Sequence, residues 1–374
     1  PYIIVGEDKS LRSAVRDRWK GGDAALLIRE SQVLEKSAGY RKPTDATASH
    51  YLGSPQKISF RYTYNYKQLL QYGLSGEKEA GEPFLRGAQR YGFDFYSFHF
   101  FLRNTGIVKS LALGDFTVNL GQGLIQWQAF SSAKGGHVLD IKRQASVLKP
   151  YRSTGEFNFN RGAGISLQKG KWSSTLFFSY QKISSNADMD TAGREDLFTS
   201  FENSGYHRTA GEIADRNNNG QFSDGGNIVF SEPRFSVSVN FTHFRFSKSF
   251  QKRDEPYNLF SLRGSVLSNA SLEYDYTIRN LHLFGELAMD RQRHPALVQG
   301  MLLSLGSTMD LSVLYRNIPP TYQSLYADAY TENSSPANES GFYTGLSFRP
   351  LNGFKMEMYY DLFVFPWLKY RVDA

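Results

Sequence analysis

Hydrophobic and polar residues alternate one for one along most of this chain. In Lys57 to Tyr66, Ile58, Phe60, Tyr62, Tyr64 and Tyr66 fall on one side, and Lys57, Ser59, Arg61, Thr63 and Asn65 fall on the other. A period of two is the signature of a β-strand with one apolar and one wet face. Phe116, Val118 and Leu120 alternate in the same way with Asp115, Thr117 and Asn119. Against lipid, this register sends the first three outward and the last three into a lumen. Gly114, Gly121 and Gly123 bracket that segment where a chain bends, bulges or admits a close backbone. Phe235, Val237, Val239 and Phe241 alternate with serine, asparagine and threonine, and the phase then flips to Phe244 and Phe246, which predicts a β-bulge. Leu272 to Ile278, Leu281 to Asp290, Val298 to Leu305, Leu311 to Tyr315, Phe342 to Phe348 and Phe354 to Val364 continue the series.

The first strand is expected at Ala24 to Val33, after a lead-in over residues 1–21 in which Leu11 to Trp19 reads as a short helix or irregular segment. A polar loop holding two prolines runs from Lys42 to Pro55. Leu69 to Ser75 crosses next, and the charged run Gly76 to Pro83 is expected to leave the sheet. Tyr96 to Leu102 follows, and a turn at Asn104-Thr105-Gly106 leads into the Leu113 segment. Gly164 to Lys169 and Trp172 to Gln181 make a hairpin about Gly170-Lys171. Two long stretches, Gln128 to Glu156 and Ser184 to Gly226, lack sustained alternation, and connections of that length are functional or disordered. The pattern predicts an all-β fold, an antiparallel transmembrane β-barrel of about 14–18 strands with long polar loops placed to plug the lumen. Residues 22–374 make this single barrel. The end Lys369 to Ala374 lacks the terminal aromatic of many such barrels, so the last strand or strands are expected to be missing.

Composition agrees with a sheet: there are 23 Tyr and 29 Phe but only 4 Trp among 374 residues, and aromatics favour pleated, half-buried surfaces. Mean hydropathy is −0.44, which a barrel with a wet interior tolerates. No apolar run of 18 or more residues exists to cross a bilayer as a helix. The absence of cysteine excludes disulfides, thiolate catalysis and Cys-ligated zinc. The net charge of +7 suits anionic lipid, lipopolysaccharide or nucleic acid, but the charges are mixed along the chain.

Candidate chemistry lies on the wet faces and in the loops. Glu273, Asp275, Glu286 and Asp290 are expected inside the barrel, paired with Arg263, Arg279, Arg291 and Arg293. Lys134, Lys142, Arg143, Lys149 and Arg152 make the first long connection basic, so folding it inward would match charges. Asp115 and the run Glu77, Glu79 and Glu82 are further lumen or loop candidates. Gly121-Gln122-Gly123 is no phosphate loop, lacking the Lys-Ser/Thr ending. His207, with Arg208, Thr209 and Glu212, places an acid, a base and a hydroxyl in one span, read as a loop anchored by charge pairing in preference to a catalytic group. Asp215, Asn217, Asn219 and Gly220 match the first half of an EF-hand calcium loop, but the closing glutamate position falls on Gly226. Calcium is therefore the only cofactor suggested, with a plain polar loop as the competing reading.

Tyr51-Leu52-Gly53-Ser54-Pro55, Gly76 to Phe84, Gly92 to Ser97, Gly114-Asp115-Phe116 with Gly121 to Leu124, and Gly205 to Thr209 occur in an order that resembles Bacteroidota outer-membrane β-barrel proteins carrying N-terminal helix-hairpin-helix repeats. The repeats themselves are not in this chain. The resemblance implies an outer-membrane location and brings no catalytic residue. The function expected is a non-enzymatic channel or the membrane component of a transport or secretion assembly. Its partners would be outer-membrane lipid, lipopolysaccharide and other outer-membrane or periplasmic proteins. A DNA-uptake or nucleic-acid-binding surface component is the alternative, and a membrane-embedded hydrolase using His207 is the third reading.

Overall fold

The computed structural model describes residues 17–41, 49–131, 134–135, 137–188 and 196–372. Among these residues nineteen strands form a single sheet. Its wall runs through β1 (Asp23–Ser31), β2 (Lys57–Tyr66), β3 (Leu70–Lys78), β4 (Phe95–Thr105) and β5 (Val108–Leu120). Two short strands, β6 (Gln126–Trp127) and β7 (Leu148–Pro150), lie in the connection that follows. The wall resumes at β8 (Asn160–Lys169) and β9 (Trp172–Ile183), and β10 (Ser185–Asp188) and β11 (Leu197–Phe201) decorate the next long loop. Eight more strands complete it: β12 (Asn219–Glu232), β13 (Phe235–Gln251), β14 (Arg263–Ile278), β15 (Leu281–Asp290), β16 (Pro295–Ser304), β17 (Met309–Ile318), β18 (Glu339–Leu351) and β19 (Phe354–Val364). Each wall strand pairs antiparallel with the next, β5 with β8 and β9 with β12 across the long insertions. Among the described residues β1 pairs with β2 alone and β19 with β18 alone.

Short turns gather at one end of the barrel, between β2 and β3, β4 and β5, β8 and β9, β12 and β13, β14 and β15, and β18 and β19. Every long connection emerges at the other end. The alternation acts as the sequence predicts on most strands: Leu176, Phe178 and Tyr180 of β9 are exposed on the outer face, while Thr175, Phe177, Ser179 and Gln181 are buried inside. Leu272, Tyr276, Leu287, Met289, Met358 and Leu362 are likewise exposed on the outside. A belt of exposed apolar side chains over a buried polar interior is inverted relative to a water-soluble barrel, and it fits an apolar surround.

Several expectations are overturned. Phe116, Val118 and Leu120 do not face outward: they are 0 %, 0 % and 1 % exposed and belong to the main core cluster. β5 keeps its register with β8 only as far as Phe116, its register with β4 ends at Gly114, and residues 116–120 then pair with β7 and β6. The strand has left the wall and entered the lumen, so both its faces are covered. Gly114 makes this possible, because φ is +84° and a Cβ there would sit 2.3 Å from the Phe98 carbonyl oxygen.

No bulge occurs at Phe244. The β12–β13 register is continuous through Phe246, and Ser238, Asn240, Thr242, Phe244 and Phe246 share the buried face. The residue chemistry changes phase while the backbone does not. β13 has risen past the apolar belt, where Phe244 and Phe246 pack inward with Phe198, Phe250 and Tyr326 and Arg245 is exposed. The register shift lies further on, between Arg245 and Phe250. The Ser184 to Gly226 stretch is also less irregular than expected: it holds β10, β11, the helix Ala210–Ala214 and the first half of β12. β3 runs on through Gly76, Glu77 and Lys78 before the charged run leaves the sheet. Of the lead-in, residues 17–20 are helical, and Arg18 donates to the carbonyls of Arg103 and Asn104 at 2.8 and 3.0 Å. Residues 1–16 and 42–48 lie outside the described residues.

Candidate functional site

Among the described residues, two connections cross the interior and bind each other there, and the first of them, residues 121–159, carries most of the charge. Glu286 on β15 is fully buried and accepts the amides of Gln122 at 2.7 Å and Leu124 at 3.0 Å. Gly121, with φ +61°, lets that carboxylate approach, since a Cβ there would lie 2.3 Å from Glu286 Oε1. Glu273 on β14 accepts from Gln122 Nε2 at 3.0 Å and Ser238 Oγ at 2.8 Å. Lys142 reaches Asp275 at 2.7 Å and His282 Nε2 at 3.0 Å. Lys134 pairs with Asp361 of β19 and with Glu332 at 2.9 Å. Arg316, buried on β17, holds the same Asp361 through two nitrogens at 3.0 Å each and Glu339 at 2.5 Å.

The second filling segment, residues 319–338, was not expected. Ser184 to Gly226, the other stretch expected to fill the interior, sends Phe198 and Phe201 against Phe246 and Phe250, and the β17–β18 connection joins it there. Tyr322 donates to the Leu124 carbonyl at 2.9 Å, Trp127 N to the Tyr326 carbonyl at 2.7 Å, and Arg143 Nε to the Asp328 carbonyl at 2.8 Å. The two segments are thereby locked to each other as well as to the wall. Apolar packing completes the plug: Leu124, Ile125, Ile141 and Leu148 join Phe116, Phe284, Leu314 and Tyr343 in one cluster. Four such side chains contribute about 1.5–3 kcal/mol each when buried, more than the roughly 0–1 kcal/mol of an exposed ion pair. The charges set where the plug sits, and the packing holds it there.

The four expected carboxylates do line the interior, but the arginine partners are corrected. Asp290 is bound by His294 N and Nδ1, both at 2.9 Å, and by Gln323 N at 3.2 Å, while Glu286 takes both plug amides on its Oε2. Arg279 and Arg293 adopt positive φ in the turns after β14 and β15, and Arg263 pairs with Asp254 at 3.5 Å. Asp115 binds Arg161 of β8 through both oxygens, at 2.7 and 2.8 Å. Glu77 and Glu79 pair with Lys57. Arg152 contacts the Gln71 amide of β3.

At the mouth with the long loops a charged knot joins three connections. Asp94, immediately before β4, contacts His207 Nδ1 and Gln89, and pairs with Arg216 at 2.9 Å. Glu82 accepts the amides of His207 at 2.9 Å and Glu79 at 2.7 Å. Glu156, at the end of the plug, lies 4.0 Å from His207. Burial, reinforced by Asp94, pushes the Glu82 carboxyl up to about 7, and burial beside Asp94 and Glu82 pushes Glu156 up to about 9. Arg208 and Glu212 pair at 2.9 Å, and Thr209 and Glu212 form a capping box on the helix Ala210–Ala214. Hydrogen bonding from Arg208 outweighs desolvation and lowers the Glu212 carboxyl.

Ser184 Oγ lies 3.3 Å from His207 Nε2, which gives the hydrolase reading a serine, but that oxygen accepts Asn217 N–H at 3.2 Å and His207 is 2 % exposed. An imidazole so enclosed offers no approach to a substrate. Glu82, Asp94 and His207 are also the one set of three potential metal ligands gathered among the described residues, with ligand atoms within 4.8 Å of one another, and each already has hydrogen-bond partners. Of the calcium-loop candidates, Asp215 caps the helix, Asn217 has φ +52°, and Asn219 begins β12 with its side-chain oxygen accepting from Ser247 and Lys248. Asp94, Arg216, Glu156 and Tyr322 escaped sequence reasoning because isolated loop residues carry no periodic signal. Arg316 was within reach, since Asp310, Ser312 and Arg316 share the wet face of β17.

No family model matches the chain, and no curated protein does. Among solved structures it is similar to an anion-selective porin from Comamonas acidovorans, at 8 % identity and TM-score 0.36, covering 91 % of this chain and 88 % of that one. OpdQ of Pseudomonas aeruginosa shares 12 % identity at TM-score 0.41, covering 82 % and 73 % of the two chains. Salmonella typhi OmpF, in a complex with daunomycin, shares 11 % at TM-score 0.36, covering 91 % and 88 %. At these scores the porins are distant likenesses, and the chain's own geometry carries its reading.

Proposed function

We propose that this chain is a bacterial outer-membrane barrel whose lumen is a closed passage, acting as a channel or as the membrane component of a transport assembly without an enzymatic step. The exposed apolar belt over a buried polar interior supports the membrane location, because a water-soluble barrel would carry the inverse arrangement. The observation that carries the closed passage is Glu286 binding the Gln122 and Leu124 amides from the opposite side of the lumen. Solutes pass when the plug shifts, and the wall charges that now hold it then face the path.

Single-channel recording in planar bilayers tests this. The intact chain should show little or no conductance, and deletion of Lys134 to Lys149 should produce large steady openings. A large steady conductance from the intact chain would refute the closed passage.

A further inference from the structure

Beneath the plug, at the end with the short turns, lies a recess of about 730 Å³ bounded by β4, β5, β8, β9, β12 and residues 144–148. Its lining contains Arg103, Lys109 and Lys171 and not one carboxylate, the rest being amides, hydroxyls and a few small or apolar side chains. Lys171 is paired with Glu232, but Arg103 and Lys109 have no ion-pair partner among the described residues. Asn227 on β12 also lines the recess, and only the Nδ2 of its amide can donate into it. Cations without an ion-pair partner, in a recess whose lining holds no acidic group, leave a charge deficit that an anion fills, since charge-assisted bonds to oxyanions are strong and short.

We propose that this vestibule binds a small soluble oxyanion, of phosphate or carboxylate chemistry, and so names the solute class of the passage, an inference that rests on the lumen being a transport path. Arg103 supplies a planar fork that matches two oxygens, Lys109 supplies a point charge, and Asn227 supplies an amide. The site faces the interior of the wall, so a lipid headgroup on the outer face does not reach it. A second cavity of about 210 Å³ shares Gln144, Val147 and Asn227 with the first and leads to Glu273 and Asp275. Those carboxylates repel an anion and confine it to the β4–β5 side.

Titration calorimetry on the full chain in detergent, with inorganic phosphate and separately with citrate as probes, tests the site. Saturable binding is expected for at least one probe, weakening as salt rises from about 50 to about 300 mM. The double variant R103Q and K109Q should bind about tenfold more weakly or worse, while R103K, which keeps the charge and loses the fork, should weaken binding less than R103Q. Thermal unfolding of each variant separates lost binding from lost fold. No saturable binding to either probe, or a folded double variant with unchanged affinity, overturns the proposal. Failure of the two readings is distinguishable: an intact chain that binds neither probe, beside a plug-deleted chain that conducts, refutes the vestibule alone, whereas phosphate binding by the intact chain, beside a plug-deleted chain that does not conduct, refutes the passage alone.

Discussion

Glu286 and Gly114 show how much a single position decides here. Glu286→Ala should remove the acceptor of two plug amides and leave them buried without partners, a cost of about 2–5 kcal/mol. Limited proteolysis should then cut residues 121–159 faster than in the parent chain, and equal protection would show that the carboxylate does not hold the plug. Gly114→Val should be worse tolerated than its small size suggests, because φ +84° and the Phe98 carbonyl both exclude a branched side chain. The wet-face positions of Glu273, Asp275, Glu286 and Asp290 were legible from alternation alone. Their partners were not, since period-two patterning says which way a side chain points and nothing about what crosses the lumen to meet it.

At the scale of the element, β5 is half wall and half plug. Spin labels at Leu111 and Leu113 should respond to a lipid-soluble quencher, and labels at Phe116, Val118 and Leu120 should respond to neither lipid-soluble nor water-soluble quenchers. Lipid exposure at Val118 would return the whole strand to the wall. Its alternation misled because the interior it enters is apolar, so the same pattern fits two opposite surroundings. β13 repeats the lesson: Phe244 and Phe246 looked like a bulge because apolar residues were assumed always to face out, an assumption that ends where the belt ends. The loops of the mouth carry a pH dependence. Glu82 and Glu156 have carboxyls raised to about 7 and about 9, so the folded knot binds more protons than the unfolded segments above the ordinary value near 4.5. Their contribution to stability is fully present below that value and is lost as pH rises through 7 and then 9. Hydrogen exchange at residues 202–217 should therefore quicken, beyond its intrinsic pH dependence, between pH 5 and 9, and corrected rates that fall across that range would contradict the knot.

At the scale of the whole molecule, strand number and sidedness were readable from composition, alternation and turn spacing, and fifteen of the nineteen strands make the wall. The filling of the lumen was half readable. The basic run after Trp127 announced its own destination, whereas residues 319–338 hold only Asp328 and Glu332 as charges and enter largely through shape, with Tyr322 and Tyr326 as their anchors. The tie between Gln122 and Glu286 spans 164 residues of chain. Contacts of such separation form late, after loop closure has been offset by the rest of the fold. Until β15 arrives, the segment that leaves β5 has neither its carboxylate nor its apolar bed, and the wall must assemble around an insertion that is not yet in place. The plug is thus expected to settle as a slow final phase, visible as protease protection that lags behind the appearance of the sheet, and a barrel caught before that phase would conduct.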